Sequence, residues 1–155
     1  MFTKITRGVV CAAMAVLLNA SSAYAAFGVV PDGRILNLER FFTSYHCPSP
    51  HYSADYIRAA DTHKLDYRLL PAISLVESTC GVHEQRNNRW GWNSGKKAFA
   101  SIPTGIYFIT SQLAQGFYYK NKMTPAKLLT YNPEPKYSMQ VQRLMREIDS
   151  DDRTP

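Results

Sequence analysis

The chain has no long hydrophobic run, and this limits how it can meet a membrane. Its most continuous apolar stretch, Val9–Leu18, has ten residues, whereas a spanning helix needs about 20. Lys4 and Arg7 precede this stretch and the small residues of Ala23–Ala25 follow it, which is the order of a secretory signal peptide. We therefore predict that residues 1–25 are removed, that the protein is periplasmic or secreted, and that it has no stable membrane insertion afterwards. An uncleaved membrane anchor is the alternative.

Cysteine is scarce, with three residues in the chain. Cys11 falls within the predicted signal peptide, which leaves Cys47 and Cys80. A pair of cysteines in an exported protein indicates a disulfide. Two free, buried thiols are the alternative.

Metal-ligand patterns and basic runs are also lacking. The four histidines are scattered, at positions 46, 51, 63 and 83, without the paired spacing of a zinc site, so we expect no metal. Without residues 1–25 the chain keeps 16 basic and 12 acidic residues, a formal charge of +4. This charge suits a polyanionic surface or polymer, but no basic run is long enough to indicate nucleic acid.

Apolar residues recur at helical spacing in several segments separated by proline, glycine or polar residues. The steps of 4, 3 and 4 that define one helix face occur at Leu69, Ile73, Val76 and Cys80, and again at Ile102, Ile106, Ile109 and Leu113. Ser53 and Asp66 precede two such segments and are expected to cap them. The sequence predicts a small all-α domain within residues 26–155, with a core of about 33–149 and five or six short helices. Residues 82–101 are predicted to form one long loop, or a loop that contains a small hairpin.

One acid lies on the most apolar of these predicted helices. Glu77 follows Ile73 by four residues and falls in the last turn, where the helix carbonyls disfavour a carboxylate. Burial has the same effect, so both should raise the pKa of Glu77 and suit it to general acid catalysis. An outward Glu77 paired with Arg68 or Arg86 is the alternative.

The following loop contains both tryptophans of the chain, in the segment NNRWGWNSG at 87–95. Tryptophans beside a glycine in a polar loop suit stacking on sugar rings, and asparagine amides suit hydroxyl and acetamido groups. Alternatively, the tryptophan side chains anchor the loop, and the two roles are compatible if each tryptophan takes one. A third element, Tyr131-Asn132, ends a helix and can bring a phenol and an amide to the same side, or Asn132 is simply a helix stop before proline.

These three elements, in this order, resemble bacterial lytic transglycosylases and related glucosaminidases of the lysozyme-like superfamily. LDYRLLPAISLVESTCG (65–81) is similar to their catalytic helix, NNRWGW (87–92) to the segment that follows it, and LLTYNPEP (128–135) to their Tyr-Asn motif. The likeness covers roughly residues 53–148. The Gly-Leu-Met-Gln segment of the larger soluble enzymes is absent, and Glu134 stands where a glycine often occurs.

The resemblance implies a small lysozyme-like helical domain whose long loop binds peptidoglycan glycan strands. Its implied site consists of the catalytic acid/base Glu77, the neighbouring Tyr131, and substrate-side residues. These are Ser78, Asn88, Trp90, Gly91, Trp92 and Asn132.

A single visible acid fits the transglycosylase route, which forms a 1,6-anhydro sugar and needs no cofactor or metal. Most glycosidases use two carboxylates, and a hydrolase, a glucosaminidase or muramidase, that uses Glu84 or Glu134 stays open as an alternative. A non-catalytic glycan-binding protein of the same fold is the other alternative.

Overall fold

The computed structural model of the protein describes residues 32–149; the predicted signal peptide and residues 150–155 lie outside the described residues. Within that range the chain is all-helical and has no strand, which confirms the predicted fold class. The six helices are α1 (Gly33–Ser44), α2 (Ser53–His63), α3 (Leu69–Ser78), α4 (Ile102–Gln115), α5 (Thr124–Tyr131) and α6 (Pro135–Asp149).

The last helix, α6, lies at the centre of the packing. It contacts α1, α3 and α5, while α2 packs against α1 and α4. Its buried face steps by 4, 3 and 4 residues, as helical periodicity requires, through Tyr137, Val141, Leu144 and Ile148. Tyr137, at the N-terminal end of this face, lies near Glu77 of α3.

Two helix starts differ from the predicted caps. Ser53 is the first residue of α2 rather than its cap, and its hydroxyl donates to Glu39 at 2.6 Å. Asp66 accepts from the N–H of Arg68 at 3.0 Å and closes the turn before α3, so Arg68 occupies the cap position. Short polar side chains often bond to nearby backbone groups, as Asp66 does. Ser53 instead bonds to a side chain of another helix, so it does not cap α2.

The segment between α3 and α4 is the predicted long loop. It contains turns without a helix or strand. Gly105, on the buried face of α4, lies against this loop: a Cβ there would come within 2.5 Å of the Trp90 ring. The absence of a side chain at Gly105 thus lets the loop pack tightly onto the helix.

The predicted disulfide is present between Cys47 and Cys80, whose Cα atoms are 5.4 Å apart. It joins the segment after α1 to the segment after α3. None of the helices between residues 32 and 149 combines the length and apolarity needed to cross a bilayer.

Replacing both bonded cysteines by serine should lower the free energy of unfolding by about 3–4 kcal/mol in the chain-entropy model, because the bridge spans 33 residues of sequence. Urea unfolding of the oxidised protein and of the Cys47→Ser/Cys80→Ser variant measures the difference. Thiol labelling of the folded, oxidised protein should leave both positions unlabelled. Ready labelling of Cys47 and Cys80 would contradict the bridge.

Candidate active site

Glu77 lies in the last turn of α3, one residue before the helix ends. The three residues that follow the last helical residue, Thr79, Cys80 and Gly81, have positive φ angles of 52°, 57° and 106°. The chain therefore turns away sharply, and Glu77 is left beside the carbonyl end of the helix. The negative potential there disfavours its ionised form.

The cations that could have paired with Glu77 have other partners. Arg68 forms ion pairs with Asp66 and Asp149, each at 2.6 Å. Arg86 donates to a backbone carbonyl of the loop at 3.5 Å. Neither arginine therefore holds Glu77 outward in an ion pair.

The carboxyl group of Glu77 is partly desolvated, although the residue as a whole is exposed rather than buried. Desolvation by the surrounding protein raises the pKa of Glu77, and the nearby hydroxyl of Tyr137 offsets part of this rise. We attribute the raised pKa to the carboxyl end, which the loop backbone covers at Gly91. An ideal Cβ on Gly91 would stand 2.5 Å from Glu77 Oε2.

Tyr137 is the polar side chain that α6 brings to Glu77, and the sequence analysis did not place it in the site. It is 7% exposed, and its hydroxyl makes no well-aligned hydrogen bond within residues 32–149. Burial and the charge of Glu77 raise the pKa of Tyr137. A buried phenol whose polar neighbour is the Glu77 carboxyl group leaves a donor available at the site. The sequence feature that could have indicated this role is the position of Tyr137 among the apolar residues of α6, because a buried Tyr hydroxyl usually needs a hydrogen-bond partner.

Trp90 does not face the solvent, so the prediction that it contacts substrate is wrong. Its side chain is fully buried and packs against Phe99, with ring centroids 6.2 Å apart, and against Tyr56 at 6.3 Å. No sugar can stack on a ring that is enclosed in this way. Trp90 instead anchors the loop, the role left open for one of the two tryptophans.

Asn88 and Ser78 line the same small cavity as Glu77, but their side-chain polar groups are bonded within the protein. The Asn88 amide donates to the carbonyls of Trp92 and Lys97, both at 2.9 Å, and accepts from the Trp92 N–H at 3.0 Å. The Ser78 hydroxyl donates to the Arg89 carbonyl at 2.6 Å. Both side chains are buried. The Ser78 bond fixes the loop against α3, and the Asn88 bonds hold the loop in its own conformation.

Tyr131 approaches the site from the end of α5, while Asn132 does not line it. The Tyr131 hydroxyl donates to the carbonyl of Trp90, immediately before Gly91. Burial and the charge of Glu77 raise the pKa of Tyr131. Tyr131 thus holds the backbone that covers Glu77, which is a positioning role. The Asn132 side chain accepts from the N–H of Glu134 at 3.0 Å and caps the turn into α6.

Two cavities meet at Gly91. The larger, of about 370 Å³, is lined by Trp92, Tyr118, Tyr119, Tyr131 and Lys97 among others. The smaller, of about 150 Å³, is lined by Glu77 together with His83 and Gln85. Glu77 therefore lies beside a groove with an aromatic side and a polar side. Trp92 is partly exposed in this groove, as its predicted substrate-side role requires.

The loop acid Glu84 is committed to a structural ion pair. Its carboxylate lies 2.9 Å from Arg89 Nε, and the Arg89 side chain is only 8% exposed. Removing one partner of a buried pair leaves an uncompensated charge at a cost of about 3–5 kcal/mol. Glu84 therefore serves to neutralise the buried charge of Arg89. Within residues 32–149 no cluster of three or more His, Cys, Asp or Glu is placed to hold a metal ion.

Comparison of the chain with protein-family models, with curated proteins and with solved structures finds no match. The chemistry of the site follows from its own residues.

Gly91→Ala should displace the Glu77 carboxyl group and lower the stability of the fold moderately. A left-handed φ of 65° costs a non-glycine residue about 1–2 kcal/mol, and the new Cβ would collide with the end of a flexible side chain. We expect the pKa of Glu77 to return toward its ordinary value in an NMR titration. Gly95→Ala is the matched control, because Gly95 also has a positive φ, 74°, but open space at its Cβ. An unchanged Glu77 titration in Gly91→Ala would contradict the close approach.

The stability of the protein should also depend on pH through Glu77. Its pKa is raised above 4.5 in the folded state, so the folded state binds this proton more tightly than the unfolded state. The stability that this tighter proton binding adds is fully present below the pKa that Glu77 has in the unfolded chain. It is lost as the pH rises through the pKa of Glu77 in the folded protein. Urea unfolding from about pH 4 to about pH 8 should show a smaller decline for Glu77→Gln than for the wild type. Glu134→Gln, which removes an exposed acid, is the control, and identical pH profiles for wild type and Glu77→Gln would rule the effect out.

Proposed function

We propose that this protein is an exported enzyme that cleaves the β-1,4 MurNAc-GlcNAc strand of peptidoglycan, with Glu77 as its one catalytic acid, by the lytic transglycosylase route. The observation that carries the proposal is the placement of Glu77: its carboxyl group lies against the loop at Gly91 and lines the small cavity that adjoins the aromatic one. Desolvation there raises its pKa. A general acid must keep its proton near the working pH. Partial desolvation and the position at the end of α3 both favour the protonated form.

The aromatic side chains of the groove support the proposal that the substrate is a carbohydrate. Trp92 contacts the rings of Tyr119 and Tyr131, with centroids 5.9 and 5.7 Å away, and Phe108 at 6.1 Å. These rings fix the indole while leaving part of it exposed. Flat, rigid apolar faces suit the apolar faces of sugar rings, and the polar residues Asn93 and Ser94 line the same cavity.

Among residues 32–149 no carboxylate other than that of Glu77 lines the two cavities, which favours the transglycosylase route over hydrolysis. Retaining and inverting glycosidases place a second carboxyl group about 5–9.5 Å from the acid. Glu84 neutralises Arg89, and neither Glu84 nor Glu134 lines the two cavities that meet at Gly91. A hydrolase that uses Glu84 would have to give up this ion pair.

The proposed reaction uses Glu77 twice. As an acid it protonates the glycosidic oxygen, and the bond to the MurNAc anomeric carbon breaks while the N-acetyl group of that ring supports the oxocarbenium-like centre. As a base the carboxylate then takes the proton of the same sugar's 6-hydroxyl, whose oxygen bonds to the anomeric carbon. The 6-hydroxyl is tethered to the reacting centre and has the entropic advantage of an intramolecular nucleophile. Tyr137 lies where it can steady the carboxylate between the two steps.

Glu77→Gln should reduce the release of soluble fragments from purified sacculi by at least about a hundredfold, the lower end of what general acid catalysis contributes. The side-chain shape is kept, so circular dichroism should be unchanged. Mass spectrometry of the wild-type products should find 1,6-anhydro-muramoyl ends, each lighter by one water than a hydrolytic product.

Glu134→Gln is the matched control, because it also converts an exposed glutamate to glutamine. It should retain substantial activity. Glu84→Gln should also retain activity where circular dichroism shows it folded, although we expect it to be destabilised through Arg89. Reducing ends as the main product would replace the transglycosylase by a hydrolase. Binding to sacculi without any release of fragments would indicate the non-catalytic glycan-binding alternative.

A further inference from the structure

The aromatic cavity beside Glu77 contains a positive charge that sugar stacking does not need. Lys97 is the one charged residue among those that line this cavity in the described part of the chain. Its Nζ atom lies 4.8 Å from the ring centroid of Phe108 and 5.9 Å from that of Phe99. Cation–π contacts of this length hold an ammonium group over a ring face. Lys97 is thus positioned at the cavity although the residue is exposed.

The backbone of Lys97 is fixed as well. Its carbonyl accepts from the Asn88 amide at 2.9 Å, and the same amide binds the carbonyl of Trp92. One buried side chain therefore fixes the backbones of Trp92 and Lys97 relative to each other. A neutral glycan offers only hydroxyl and acetamido groups, which neutral hydrogen-bonding groups can also bind. A lysine is a compact charge suited to a carboxylate or another anion.

We infer that Lys97 makes this a site for carboxylate-bearing glycans, binding a carboxylate carried by the sugar that stacks on Trp92. This rests on the proposed function and specifies its substrate. Two sources supply such a carboxylate: the lactyl group of a muramoyl residue without a peptide, and the acidic residues of an attached peptide stem. In a peptide-bearing strand the lactyl carboxyl is an amide, so the two sources can be separated.

The test measures binding rather than turnover, in the Glu77→Gln background. Lys97→Met removes the charge and keeps an unbranched apolar stem for the ring contacts. Lys96→Met is the matched control, because it removes the same charge one residue away and Lys96 does not line the cavity. The probes are soluble chitin oligomers, peptidoglycan strands stripped of peptides by an amidase, and peptide-bearing strands.

Lys97→Met should weaken binding of a carboxylate-bearing strand about three- to tenfold, the range for a charge-assisted contact that is partly solvated. Chitin binding should stay the same, and the difference should shrink in high salt because exposed charges are screened. Loss with the stripped strands alone assigns the contact to the lactyl carboxylate, and loss with the peptide-bearing strands alone assigns it to the stem.

Equal losses on chitin and on the carboxylate-bearing strands would overturn the inference, as would equal losses from Lys96→Met, no loss on any strand, or no binding to any probe. The binding test of Lys97 and the activity test of the proposed function can give independent results. Strand binding that depends on Lys97, together with a wild type that releases no fragments, would leave this inference standing and remove the enzymatic one. Fragment release by the wild type with no effect of Lys97→Met would do the reverse.

Discussion

The indole of Trp90 packs so closely against α4 that position 105 has no room for a side chain. This contact holds a loop that has no helix or strand of its own. The Trp90 carbonyl accepts from Tyr131, and the next residue, Gly91, lies on the carboxyl group of Glu77. The position of the proposed catalytic acid relative to its groove therefore depends on a buried side chain that never meets solvent.

The site combines the end of α3 with two consecutive helices, α5 and α6, that lie much further along the chain. The end of α3 carries Glu77, the end of α5 supplies Tyr131, and the start of α6 supplies Tyr137. The disulfide at Cys80 ties down the chain just after Glu77. Packing and the disulfide fix the positions of these side chains. Together they desolvate the carboxyl end of Glu77, whose side chain is otherwise exposed. This arrangement raises a pKa without enclosing the residue, which leaves the carboxyl group accessible to a polymer.

The sequence predicted those features that depend on local pattern. The apolar steps of α3 and α4, the long loop and the Cys47–Cys80 pair could all be read from spacing and residue type. The pattern could not separate Trp90 from Trp92, because two residues of the same kind in one polar loop differ only in what they pack against. Tyr137 was missed for a related reason, since only the meeting of α6 with α3 turns its hydroxyl from part of an apolar stripe into a neighbour of Glu77. Ser53 shows the same limit, because its hydroxyl bonds to Glu39 fourteen residues away.

The contrast between the two tryptophans gives the molecule two separate optical reporters. Both of its indoles lie in the same loop, two residues apart. Trp90 is sealed in the core, so its fluorescence should be blue-shifted and should change only when the domain unfolds. Trp92 lines the groove among tyrosines and is partly exposed, so its emission should respond to whatever occupies that groove. Replacing either indole by phenylalanine would isolate the signal of the other, and the native chain would then report folding and occupancy in the same spectrum.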